Sequence, residues 1–240
     1  QRAPETVPDR PAAPVGTPRR LGAEELTVRW PGADRDAVRG VTLDVGPHRR
    51  LVITGPSGCG KSTVVAALMR TLPPVSGRVL ADGRDAADLA PAQVRQAVAW
   101  CGPQAHLFDS TLRANLALAA PDPDDVDDET LIAALRAARL GDWFDSLPEG
   151  LDTPIGEHGG AVSGGERQRI GIARTLLANR PITIYDEPTA HLDPHTADAL
   201  AQEILAATED RAAIIVTHRP DQTPGLPQLR LGETGSVRVG

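Results

Sequence analysis

Aromatic residues are scarce in this 240-residue chain, which holds three Trp, two Phe and one Tyr. Methionine occurs once and cysteine twice. Two cysteines, Cys59 and Cys101, cannot build a disulfide scaffold and point to a reducing compartment. No stretch approaches about 18 consecutive apolar residues, so no segment is expected to cross a membrane. A charged start followed by an apolar core, the mark of a secretory signal, is also missing. The net charge is −7 without a basic stripe, which argues against a general nucleic-acid binder. Gly and Pro, at 23 and 22 residues, stay below the share that marks low-complexity disorder. The length suits one large domain or two small ones with a sizeable core. The chain opens on Gln1 rather than Met, so a piece of a longer protein is expected.

Lysine is nearly absent as well. The 25 basic residues are arginines apart from Lys61. A compact, strongly hydrated ammonium cannot be exchanged for a planar guanidinium where a small point charge must fit. The one retained lysine falls inside a phosphate-binding pattern.

Residues 1 to about 20 hold five Pro and four Arg without apolar periodicity and read as an extended linker. We place the linker at 1–22 and a folded domain at 23–240. Alternation in ELTVRW and VRGVTLDV predicts two antiparallel strands. The apolar runs RRLVITG, AVAWCG, PITIYDE and AAIIVTH predict buried strands, and SGRVLADG another. Helical spacing runs through KSTVVAALMRTL, TLRANLALAA, ETLIAALRAARL, SGGERQRIGIARTLLAN and HTADALAQEILAATE. The acidic run PDPDDVDDE suits a solvated loop leading into a helix N-terminus. Beyond Pro220 only a short, Gly- and Pro-punctuated tail is expected. Strands alternating with helices predict an α/β fold with a largely parallel sheet.

GPSGCGKST, residues 55–63, fits G-x-x-x-x-G-K-[ST] with a strand before it and a helix after it, the context the pattern requires. Gly55, Gly58 and Gly60 let the backbone wrap closely, so that successive N–H groups meet phosphate at a helix start. Pro56, Ser57, Cys59 and Thr63 complete the set expected around the nucleotide. Lys61 is expected to reach the β- and γ-phosphates and Ser62 to hold Mg2+. Asp186, closing the apolar strand PITIYD, is the second candidate Mg2+ ligand. Glu187 follows as the candidate general base for an attacking water. Cys59 lies within the loop and reads first as a small residue that fits there; the alternative is a redox-sensitive thiol whose oxidation would block nucleotide binding.

With these motifs placed, SGGERQR at 163–169 resembles the signature of ABC-type ATPases, and the order of elements is similar to that of their nucleotide-binding domains. The resemblance runs from about Glu24 to the C-terminus. It implies a P-loop ATPase with a mostly parallel core sheet, a small antiparallel β subdomain, and a helical subdomain over about 105–178. It also implies ATP and Mg2+ as ligands. Gln104 resembles the glutamine that meets Mg2+ and the water, and His218 in VTHR the histidine that senses the γ-phosphate. Residues 190–193, AHLD, look like the loop that links paired domains. Trp30, 31 residues before Lys61, stands where the family stacks an aromatic on adenine. Ser163, Gly164, Gly165 and Glu166 would close over nucleotide held by a second nucleotide-binding domain, identical or different, so hydrolysis would need a dimer.

LFDSTLRANL (107–116) and DTPIGEHG (152–159) look like exporter segments, the former facing a membrane domain. A transmembrane domain is therefore expected upstream, with this domain on the cytoplasmic face of a bacterial membrane. Val162, Glu166 and Tyr185 depart from the commonest family residues, yet none removes a catalytic group. The remaining histidines, His48, His106, His158, His191 and His195, show no metal-ligand spacing with the cysteines. GEHGGAVSGGERQR, YDEPTAHLD and VTHRP together look most like the C-type subunit of bacterial heterodimeric cysteine and glutathione exporters tied to cytochrome bd assembly. A lipid, peptide or multidrug exporter would carry much the same motifs. A soluble ABC ATPase and a non-hydrolysing partner domain are the other readings, the latter opposed by the presence of Glu187 and His218.

Overall fold

The computed structural model describes residues 16–156, 162–190 and 192–232, and the backbone of residues 237–239. In chain order come β1 (Leu21–Val28), β2 (Val38–Val45), β3 (Arg50–Thr54), α1 (Lys61–Leu68), β4 (Ser76–Ala81), β5 (Arg84–Asp85), α2 (Pro91–Ala97) and β6 (Val98–Cys101). Then follow β7 (Ser110–Thr111), α3 (Leu112–Ala117), α4 (Asp128–Ala137), α5 (Gly141–Asp145), β8 (Pro154–Ile155) and α6 (Gly164–Leu177). The chain ends with β9 (Ile182–Asp186), α7 (Pro194–Ala207), β10 (Ala212–Thr217), β11 (Gln228–Leu231) and β12 (Val237–Val239).

These elements fall into two compact units. The first contains residues 1–98, 180–184 and 208–240; the second contains 99–179 and 185–207. The second unit is wider than the helical subdomain expected at 105–178, because α7 and its leading loop cluster with it. β6 and β9 each start in the first unit and finish in the second.

A small antiparallel sheet ordered β2-β1-β4-β5 belongs to the first unit. Its alternating pattern was legible: Val38, Val41, Leu43 and Val45 are buried while the residues between them face outward. β1 pairs with β2 from Leu21↔Val45 to Val28↔Val38, with bulges where Glu25 adopts a φ of 47°. The strand starts two residues before the expected domain boundary. Leu21 is fully buried and Arg20 pairs with Asp44, so the linker stops short of residue 22. Residues 1–15 of that linker lie outside the described residues.

The larger sheet runs β12-β11-β3-β10-β9-β6. All six residues of β10 and all five of β9 are buried, as expected of strands covered on both faces. β10 lies parallel to β3 with Ala213↔Arg50 through Thr217↔Thr54 in register. β11 flanks β3 on its other side, also parallel, and carries β12 antiparallel at the edge. These last two strands lie in what the sequence presented as a punctuated tail. QLRL is only four residues long, and its partner β3 lies more than 170 residues earlier, so no local period announces it. Ile53, Val64, Leu68, Ile184, Ile214 and Val216 belong to the core of this unit.

In the second unit Leu112, Leu116, Leu131, Leu135 and Ile170 form the buried stripes of α3, α4 and α6, and Leu140 is buried just before α5. The acidic run ends in a helix cap: Asp127 accepts the Thr130 N–H at 2.7 Å to start α4. Arg113 on α3 ties to Asp128 and, at 3.0 Å, to Asp152. α5 was not expected, being five residues with none buried and so without an apolar period.

Candidate nucleotide-binding site

The phosphate loop belongs to the first unit. It leaves β3 after Thr54 and enters α1 at Lys61. Gly60 sits in the left-handed region at φ 100°, and a Cβ there would come 2.4 Å from Val38 Cγ1 and 2.7 Å from the Ala37 carbonyl. Gly55, at φ 151°, is similarly closed in by Leu231 O and Cys59 Sγ. Pro56, Ser57 and Gly58 are exposed, whereas Cys59 is only 2% exposed and faces inward. The loop therefore presents its backbone outward and tucks its one thiol away.

The helix that follows suits an anion. The leading N–H groups of any α-helix lack intrahelical partners. In α1 the N-cap is Gly60, which offers no side chain, and the first turn has no acidic residue. Lys61, nine-tenths buried, curls back so that Nζ donates to Gly55 O at 2.9 Å and to Pro56 O at 3.1 Å. A cationic amine and a helix start without a side-chain cap thus share one loop, the chemistry a polyphosphate requires. Ser62 is exposed at the start of α1 and Thr63 is buried beside it.

Trp30, two residues past β1, donates its indole N–H to Thr63 Oγ1 at 3.1 Å. The residue stays 48% exposed, so a flat face is held open next to the phosphate loop. His218 follows Thr217, whose register partner is Thr54. Thus the end of β10 and the end of β3 lie at the same sheet edge, and His218 leaves from the position beside Gly55. It is exposed there.

The carboxylates and Gln104 belong to the second unit. Asp186 closes β9 at 2% exposure, preceded by the fully buried Tyr185. Glu187 has φ 53°, left-handed for a residue with a Cβ, an arrangement that costs free energy and concentrates at functional sites. Gln104 is exposed on the loop between β6 and β7. Around that loop lies a cavity of about 500 Å³ whose lining includes Trp100, Gln104, His106, Phe108, Gly171 and Arg174.

The signature opens α6 as expected, with Ser163 as N-cap. Ser163 Oγ accepts the Glu166 N–H at 3.2 Å and Glu166 Oε2 accepts the Ser163 N–H at 2.8 Å, a reciprocal capping box. Glu166 in place of the family's commoner Gln therefore still completes the cap. Gly164 is exposed in the first turn, and a Cβ on Gly165 would meet Leu192 at 3.3 Å. His191 and residues 157–161, including His158, lie outside the described residues.

Sequence reasoning missed Asn115 and Arg174. Asn115 is fully buried, accepts the Phe108 N–H at 2.9 Å and donates to Phe108 O and Thr111 O. Arg174 donates to Asn115 and to His106 O, and burial lowers its pKa. The available signal was a polar residue inside an apolar helical stripe, between Leu112 and Leu116 for one and beside Ala173 and Leu177 for the other.

The chain is similar to known proteins over most of its length. It is 37% identical over 219 residues to the ATP-dependent lipid A-core flippase of Albidiferax ferrireducens, covering 89% of this chain and 37% of that protein. It is 40% identical over 241 residues to the mycobactin import ATP-binding/permease protein of Mycolicibacterium thermoresistibile, covering 97% of this chain and 41% of that protein. A solved bacterial Atm1-family ABC exporter with ATP bound superimposes with a TM-score of 0.85 at 33% identity, over 96% of this chain and 40% of that one. The chain thus spans about two fifths of the length of these relatives. Residues 38–190 match the ABC transporter family profile. With the phosphate loop, the acidic strand end and the capped signature helix all inside or beside that match, the chain belongs to the ABC transporter family and carries its ATPase domain, a class that hydrolyses ATP.

Proposed function

We propose that this domain binds ATP with Mg2+, pairs with a second ABC domain, and hydrolyses ATP to drive an exporter at the cytoplasmic face of a bacterial membrane. The observation that carries the reading is the contrast between two helix starts. α1 begins on a glycine with Lys61 folded over its loop, while α6 closes its own N-terminus with Ser163 and Glu166. The first asks for an outside anion in a way the second does not.

In this reading the N–H groups of residues 55–63 and Nζ of Lys61 hold the phosphates, and Trp30 stacks on adenine. Ser62, Gln104 and Asp186 would hold Mg2+, which supplies charge neutralisation to the phosphate oxygens. Among the described residues no group of three or more His, Cys, Asp or Glu could hold a metal by itself. Two oxygen side chains plus an amide suit Mg2+, which usually completes its shell with water and phosphate. Glu187 takes a proton from water for in-line attack on the γ-phosphorus, releasing ADP and phosphate. His218 donates to the transferred group. The partner's signature closes the site; catalysis is positioning and charge stabilisation.

The cavity beside Gln104, with Trp100 and Phe108 about half exposed, supports a membrane-domain contact through residues near 104–116. That domain is the segment a Pro- and Arg-rich connector ahead of β1 would join. For cargo we propose a thiol such as cysteine or glutathione, on the motifs quoted above. The relatives' printed cargoes differ, a lipid A core in one and mycobactin in another, so a lipid, peptide or drug is the alternative.

Light scattering on Glu187→Gln with and without ATP and Mg2+ tests the engine. An ATP-dependent dimer supports a self-complementary pair. A monomer that still binds ATP points to a different partner subunit, as in the heterodimeric thiol exporters. No ATP binding at all would defeat the proposal.

A further inference from the structure

Of the signature stretch SGGERQR, Gln168 has no role in the reading so far. It is 5% exposed on α6, and its Nε2 donates to the Gly102 carbonyl at 3.1 Å and approaches Cys101 Sγ at 3.8 Å. Three residues on, Gly171 meets the same loop: a Cβ there would lie 2.6 Å from Ala105 Cβ and 3.3 Å from Cys101 Sγ. Three residues further, Arg174 donates through Nη1 to the His106 carbonyl, and its guanidinium lies 5.8 Å from the Phe108 ring centre. Residues spaced by three share a helix face, and here that face follows the loop from Cys101 to Phe108. The two carbonyls on either side of Gln104, those of Gly102 and His106, are both held by α6.

Gln168 is a costly choice for packing alone. Its Oε1 is buried and accepts no hydrogen bond among the described residues. An unpaired buried acceptor is unfavourable, and an apolar side chain of equal length would avoid it. The amide is kept for its donor half, which reaches two residues before Gln104.

We propose that Gln168 is a positioning residue for Gln104. It anchors the near end of the loop to the helix that starts at Ser163, so the loop's glutamine and the signature's first turn shift as one body. The consequence for Mg2+ rests on the role proposed above for Gln104; the anchor itself does not.

Gln168→Met and Gln168→Glu keep the length and remove the donor. In a Trp30→Phe/Trp143→Phe background Trp100 is the sole tryptophan, and its ring lies 2.9 Å from where a Cβ on Gly102 would stand. Both variants should raise acrylamide quenching of Trp100 several-fold in nucleotide-free protein, with the melting temperature of Gln168→Met equal to or above that of its parent. With native tryptophans restored, the Mg2+ concentration for half-maximal ATPase should rise several-fold while ATP binding without Mg2+ stays the same. Unchanged quenching overturns the anchor. Raised quenching with an unchanged Mg2+ requirement overturns the positioning role, as does a fall in melting temperature with kcat alone reduced. Wild-type protein that hydrolyses no ATP defeats the function proposed above instead, because the quenching result stands without it.

Discussion

The indole N–H of Trp30 and the hydroxyl of Thr63 are joined at 3.1 Å, linking the turn after β1 to the first turn of α1. That bond fixes where the exposed ring stands relative to Lys61. Trp30→Ala should weaken ATP binding roughly ten- to hundredfold, the range for losing one base stack. Trp30→Phe should recover most of it. Thr63→Val isolates the hydrogen bond, and equilibrium dialysis of all three would show whether orientation or stacking area matters more. Equal affinity in Trp30→Ala and wild type removes the residue from the adenine site.

Lys61→Arg makes the change that every other basic position in the chain has in effect already accepted. Here the guanidinium cannot fold back onto Gly55 O and Pro56 O as a compact ammonium does. Turnover should fall by roughly 10²–10³, the range for losing one preorganised charge donor. Steady-state phosphate release checks it, and an active Lys61→Arg enzyme would contradict the assignment.

Glu187→Gln should lower kcat by on the order of 10²–10⁴, as for loss of a general base, with little change in ATP affinity. Single-turnover kinetics distinguishes this from slowed product release. A wild-type rate in the chemical step assigns the proton to another group.

The structure buries the Cys59 thiol, as suits a small residue that fits the phosphate loop. We predict that millimolar peroxide leaves ATP affinity unchanged in the folded domain. Cys101 is buried as well, which pushes its thiol up to about 12; with both sulfurs buried, neither should alkylate readily at pH 8 without denaturant. Mass spectrometry after iodoacetamide treatment reads both sites, and rapid native labelling would contradict the burial.

Asp127 supplies the cap of α4, and the Thr130 N–H it accepts holds its carboxyl below the ordinary aspartate range. A lowered folded-state pKa adds stability that is complete above the unfolded value and lost as pH falls through the folded one. Asp127→Ala should therefore lower the melting temperature by roughly 2–4 °C at pH 7 for a chain of this size. Asp127→Asn, which still caps, should trail wild type by less. Both gaps should narrow below about pH 4, near the reference aspartate pKa, as seen by calorimetry. A gap that widens in acid would reverse the assigned direction.

Much of this architecture was legible because it is written locally. The all-buried strands β9 and β10 show as apolar runs, and the capping box shows as Ser163 and Glu166 three residues apart. The phosphate loop was readable because glycine spacing and a lone lysine coincide. What escaped depends on distant pairing or on one side chain's direction. β11 is four residues that gain meaning only against β3. Gln168 and Asn115 look like ordinary polar helix residues until their partners in the loop 102–108 are known. The left-handed backbone at Glu187 has no sequence signal either, since any Asp-Glu pair could end a strand conventionally.

The start of α1 has no side-chain cap, since its N-cap is Gly60. Thr111, Asp127 and Ser163 cap α3, α4 and α6 with their own side chains, but α1 leaves that task to whatever occupies the loop. A phosphate chain seated there finishes a secondary-structure element as much as it fills a pocket. The domain's folding free energy is then coupled to nucleotide supply, by about 2.7 kcal/mol when ATP stands at a hundred times its dissociation constant. A cell that runs short of ATP would hold not only an idle domain but a softer one, its fuel gauge built into its melting curve.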